Sequence, residues 1–216
     1  MKPSLFQPRQ FAIPQSLVLV PYFSPASLFA DLQKKALRQQ NFLHSSLLWF
    51  DKMAVLSGFI GYPHLLMLLQ MISGLAGKEI YFLGSAGAID PRFQEPAALQ
   101  VNQIYSSSIL KRFSRKSSLP LKAFPAGSFT SVRGVSVDII QRETQGWLIE
   151  QQSKKIDIVE MELFPLRCFL QKPFHALVVL SDRVEPTGIR PFADKRKFQS
   201  EFNRAFDHIV THIDHG

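Results

Sequence analysis

The chain has 216 residues, 46% of them hydrophobic and 19% charged, with a formal net charge of +8. That balance excludes a disordered chain and is long enough for a substantial core. The positive charge permits an anionic ligand, whereas nucleic-acid binding would need the charge gathered on one face; the densest basic cluster, Lys111, Arg112, Arg115, Lys116 and Lys122, is interleaved with serines and reads as a solvated loop.

A lone cysteine, Cys168, excludes an intrachain disulfide and suits a reducing compartment. It sits among Leu166, Phe169 and Leu170 and reads as a packing residue. Gln, Pro and Arg interrupt the first fifteen positions, so no signal-peptide pattern is expected. The longest apolar helix candidate, Leu65 to Ala76, is broken by Gln70 and Ser73 and falls short of the ~20 residues of a membrane span. A soluble, cytoplasmic protein is the expectation.

In chain order, Ser16–Val20 predicts a buried strand and Pro25 to Gln39 the helix that returns from it. Leu47–Phe50 and Met53–Leu56, joined by Asp51-Lys52, predict a hairpin or two edge strands. Gly58 and Gly61 punctuate the approach to a helix over Pro63–Leu75. Glu79–Leu83 predicts a short strand ending in Gly84-Ser85-Ala86-Gly87. Val101–Tyr105 and Ser128–Val137 read as strands and Glu143–Gln151 as a helix. The last third predicts strand Ile156–Val159, helix Glu162–Leu170, strand Ala176–Leu180 and a closing amphipathic helix Lys197–Ile213. Apolar runs alternating with helical patterns specify an α/β sheet protein, with no internal repeat and no linker dividing it, so residues 1–216 are expected to form one domain.

Ligands of such sheets sit at the carboxyl ends of the strands. Three polar groups fall there: Gly84–Gly87, Glu160–Glu162 and Ser181–Asp182. Alone, Glu162 would be a helix N-terminal carboxylate favoured by the macrodipole, and Asp182 a turn or N-cap residue. As an ordered set they point to a binding site.

The run Val159-Glu160-Met161-Glu162, followed by Val178-Val179-Leu180-Ser181-Asp182, resembles the purine nucleoside phosphorylase and nucleosidase superfamily, nearest to the methylthioadenosine/S-adenosylhomocysteine nucleosidases and futalosine hydrolases. Ser57-Gly58-Phe59-Ile60-Gly61, Leu83-Gly84-Ser85-Ala86-Gly87-Ala88 and Val135-Ser136-Val137-Asp138 match further segments in order, and the resemblance covers about residues 55–214. It implies a three-layer αβα fold around a central mixed sheet. It further implies that Glu162 holds the ribose and Asp182 protonates the departing purine, with Met161, Glu160 and Ser181 beside them. Gly84, Ser85 and Gly87 are expected near the water or phosphate, and Ile140 over the base. The implied partner is a small purine nucleoside, with neither nucleic acid nor membrane and with no cofactor or metal beyond phosphate as a possible co-substrate. A homo-oligomer in contact through Phe59–Leu75 is also implied.

The second reactant stays open. Related nucleosidases place a Glu after the first strand, where this chain has Val20-Pro21-Tyr22-Phe23-Ser24-Pro25, and no Glu precedes Glu79. Phosphorylases place Arg in that loop and often before the glycine segment, where this chain has Phe82. Water held by other groups, phosphate with unusual ligands, and nucleoside binding without cleavage are the three alternatives. His208, His212 and His215 read as a solvated row on the last helix, and His64 and His175 as packing residues.

Overall fold

The computed structural model describes residues 11–21, 26–42, 44–107, 113–125, 127–138 and 144–215. The strands are β1 (Phe11–Ala12), β2 (Ser16–Pro21), β3 (Arg38–Asn41), β4 (Ser46–Trp49), β5 (Met53–Phe59), β6 (Ile72–Ser73), β7 (Glu79–Ala88), β8 (Ala98–Ser106), β9 (Ser118–Pro120), β10 (Thr130–Ser136), β11 (Ile158–Glu160), β12 (His175–Glu185) and β13 (Gly188–Pro191). The helices are α1 (Ala26–Lys35), α2 (Gly61–Leu69), α3 (Gln145–Ser153), α4 (Leu163–Leu170) and α5 (Lys195–His215).

Among the described residues eleven strands form one mixed sheet, and β1 and β6 pair separately. Within it β7, β12, β8, β10 and β11 close on themselves, because β7 pairs with β12 along one side and with β11 at Gly87 and Ala88 on the other. From β7 an open flank continues through β2, β5, β4 and β3.

Every residue of β2 is buried, as a central strand covered on both faces requires. Its side chains alternate between layers. Leu17 and Leu19 pack with Leu65 and Leu69 of α2 and Leu163, Phe164 and Leu166 of α4. Val18 and Val20 pack with Leu32 of α1 and Phe202, Phe206 and Ile209 of α5. Period-two alternation between two helical layers is the three-layer αβα arrangement expected from the sequence. A third, smaller core of Val135, Val159, Val184 and Leu148 seats α3 beside the strand ends. Thr144 caps α3 by accepting the Trp147 amide at 3.3 Å.

Several boundaries differ from expectation. The first helix stops at Lys35, and the polar segment Arg38–Asn41 forms an edge strand on β4. Its side chains are mostly exposed, so it has no apolar alternation to betray it. Of the two readings for Leu47–Phe50 and Met53–Leu56 the hairpin holds, β4 and β5 being antiparallel, and β5 is not at an edge, since it also lies parallel against β2. Helix α2 ends six residues before Leu75, and Gly74 at φ 72 starts a short turn there. Gly84–Gly87 is not a loop: β7 runs through it to Ala88. The chain also adds β13, which no apolar pattern marks because all four residues are exposed. Of the basic cluster, Lys111 and Arg112 lie outside the described residues, while Lys122 pairs with Glu79 at 3.0 Å. Among the described residues no helix is long and apolar enough to cross a membrane.

The histidines on α5 are not a solvated row. His208 and His212 stand edge-on to Phe124, and His212 also meets Tyr81 and His175. His175 stacks flat on Tyr81.

Candidate functional site

The carboxyl ends of β7, β11 and β12 open into a cleft of about 480 Å³. Met161, Glu160, Glu162, Ser181, Asp182, Ser85 and Gly87 line it together. Gly84 does not. It lies one step back in β7, where an added Cβ would stand 2.5 Å from the Phe82 ring and 3.4 Å from Pro21. Ile140 lies outside the described residues.

At the first end of the cleft, β11 runs into α4. Glu160 Oε2 accepts the amides of Glu162 and Leu163 at 2.6 and 2.7 Å, as an anion at a helix N-terminus does. Glu160 Oε1 accepts the Ser136 hydroxyl, and Ser136 Oγ in turn accepts the Phe164 amide at 2.8 Å. Glu162 is the N-cap residue of α4, and its Oε1 accepts the Gly61 amide at 3.0 Å. Gly61 adopts φ 64, a left-handed conformation natural to glycine, as the chain turns into α2. Both glutamates are buried, at 4% and 8% exposure. Burial pushes both carboxyls up, and the neighbouring charge of Glu160 adds to the shift of Glu162.

At the other end, the pairing of β12 with β7 skips a residue: Leu180 faces Ala86 and Asp182 faces Gly87. This bulge at Ser181 re-aims the strand where it meets the cleft. The Ser181 hydroxyl donates to Asp182 Oδ2 at 2.5 Å, while burial pushes the Asp182 carboxyl up. Gly87 is required by close approach, since a Cβ there would lie 2.7 Å from Asp182 Oδ1.

Sequence reasoning missed the rest of the lining. Pro21, Val137 and Val159 supply apolar wall at the strand ends. Ile189, Pro191 and Phe192 come from β13 and the residue after it, and Lys195 and Phe198 from the start of α5. The turn-forming Glu185-Pro186-Thr187-Gly188 between Val184 and Ile189 was the available hairpin signal. Among the described lining residues Lys195 is the one cation, and arginine is absent. Phe82, where phosphorylases carry arginine, is fully buried in the core. A second, more open hollow of about 580 Å³ borders Phe129 and α5. Its charges are paired, Lys197 with Glu95 and Arg204 with Glu201, and the strand ends it borders, Ala98 of β8 and Thr130 of β10, are amino-terminal ones.

No family profile and no curated protein matches the chain in sequence. Solved structures do match in shape. Purine nucleoside phosphorylase from Toxoplasma gondii, in complex with immucillin-H, superposes with a TM-score of 0.66 at 14% identity, over 89% of this chain and 87% of that one. The native futalosine hydrolase of Helicobacter pylori superposes with a TM-score of 0.68 at 13% identity, over 94% and 98%. The fold is that of the nucleoside phosphorylases and nucleosidases. The MTAN of Chlamydia trachomatis shares this phosphorylase/nucleosidase fold, with a TM-score of 0.61 at 14% identity over 92% and 99%.

Proposed function

We propose that the cleft holds a purine nucleoside and that the protein cleaves its N-glycosidic bond, with water rather than phosphate as second reactant. The observation that carries this reading is the convergence of Glu162 and Asp182 on one cleft, the first just past β11 and the second on β12, on either side of β7 in a phosphorylase/nucleosidase fold.

Breaking the bond between C1′ and N9 leaves its electron pair on the purine and positive charge on the ribose. Asp182, held above its ordinary range by burial, keeps a proton available for N7 of the leaving base. Glu162 faces the sugar hydroxyls, and negative charge there stabilises the oxocarbenium-like ribose. The water oxygen bonds to C1′ as the purine departs, and the proton it sheds passes to solvent, from which the Asp182 carboxylate is reprotonated. Met161 packs on the sugar, Ser181 orients Asp182, and the apolar walls exclude bulk solvent. A phosphate would find Lys195 alone among the described lining residues, where an anion ordinarily wants guanidinium or several donors.

Incubation with methylthioadenosine, adenosylhomocysteine, inosine and futalosine, each with and without phosphate, tests the reading. Free base released without phosphate is expected. Release only with phosphate would make the protein a phosphorylase. One observation favours a second reading, nucleoside binding without cleavage: β2 ends in Val20 and Pro21 and brings no carboxylate to the cleft. That reading predicts a melting temperature raised by nucleosides with no base released.

A further inference from the structure

We infer that Glu160 does not contact the bound molecule but is a positioning residue: tied down by three donors, it is the member of the pair that ionises first and leaves the proton with Glu162. The sequence pattern places Glu160 among the substrate-contacting groups; the hydrogen bonds assign it elsewhere. Both of its oxygens are occupied by the protein, one by Ser136 and the other by the amides of Glu162 and Leu163. Three donors at a helix N-terminus favour an ionised carboxylate. Glu162 has two donors, the Gly61 amide from outside its own segment and the Met161 backbone N–H, and sits in the same buried space.

Two buried carboxyls that interact this closely titrate as a pair, and the better-solvated member ionises first. Donor count selects Glu160 as the charge and leaves the proton with Glu162. Other ionisable groups flank Glu162. Asp182 of β12 and Lys195 of α5 line the same cleft, Arg167 lies on α4, and His64 of α2 accepts the Ile60 amide beside Gly61. Glu160 is the charged neighbour whose field acts on Glu162. A consequence, which rests on the nucleoside reading, is that cleavage or binding through an ionised Glu162 rises with pH.

The test follows carboxyl carbons by NMR in ligand-free protein labelled at glutamate, so it stands apart from whether any nucleoside is cleaved. The higher-titrating of the two buried glutamates should lie far above the ordinary carboxylate range, and Glu162→Gln should remove that signal. In Glu160→Gln the same signal should move down by about one pH unit or more. The amide side chain of that variant can still turn its oxygen to the two backbone amides and its nitrogen to Ser136, so α4 keeps its cap. Ser136→Ala removes the donor to Glu160 together with the acceptor of the Phe164 amide, and should bring the two glutamate midpoints closer together. An unmoved Glu162 midpoint in both variants, or two glutamates titrating in the ordinary range, would overturn the inference.

Discussion

Strand β12 carries a burial-perturbed ionisable group at each end, and the two ends differ in what surrounds them. His175, at its start, is 1% exposed, and neither ring nitrogen has a partner among the described residues. It is sealed between Tyr81 and Phe124 under α5, and burial pulls its imidazole down to about 4. Asp182, near the other end, is also pushed toward its neutral form by burial, but it keeps a hydroxyl partner and opens onto a cleft. Desolvation alone therefore does not mark a site. A perturbed group with space beside it and a second acid across that space does.

Asp182→Asn keeps shape and removes the acid, so base release should drop about 10²–10⁴-fold with an unchanged melting temperature. Undiminished release would remove Asp182 from the chemistry. Gly87→Ala should displace the carboxylate it abuts, lowering kcat/KM roughly 10- to 100-fold; a normal rate would show that the position of Asp182 is not critical.

Stability offers two further tests with opposite signs. Glu162 has a folded pKa raised above its unfolded value, so its contribution is full at acid pH and is lost as pH rises through the raised value. Melting temperature should fall across that span, and Glu162→Gln should flatten the fall. His175 has a folded pKa depressed to about 4 from 6.5, so its contribution is present above 6.5 and lost as pH falls toward 4. His175→Phe should remove that acid loss. It should also raise the melting temperature at neutral pH by a few degrees, since an unpartnered buried polar group costs about 1–3 kcal/mol. A lower melting temperature would mean the imidazole finds a partner in solution.

Much of this was legible in the chain itself, for physical reasons. Central strands such as Leu17–Val20 and Val178–Leu180 are apolar on both faces, so burial shows directly as composition. The edge strands Arg38–Asn41 and Gly188–Pro191 have no buried face and leave no such trace. Gly84–Gly87 misled because small residues favour turns, whereas here they let Phe82 and Asp182 approach a continuing strand. The paired acids could be found because they stand at strand ends in segments that resemble a known superfamily. The wall of Ile189, Phe192 and Phe198 could not, because only the hairpin and the start of α5 bring it to the cleft. Ser136 stood within a matched segment, but its bond to Glu160 joins residues far apart in sequence.

In the proposed reading Glu162 and Asp182 hold the two halves of one nucleoside. A crystal structure with inosine or methylthioadenosine tests it most directly. The prediction is ribose hydroxyls within hydrogen-bond distance of the Glu162 carboxylate and purine N7 within reach of Asp182. A nucleoside bound elsewhere, or seated in the cleft without touching either acid, would contradict it.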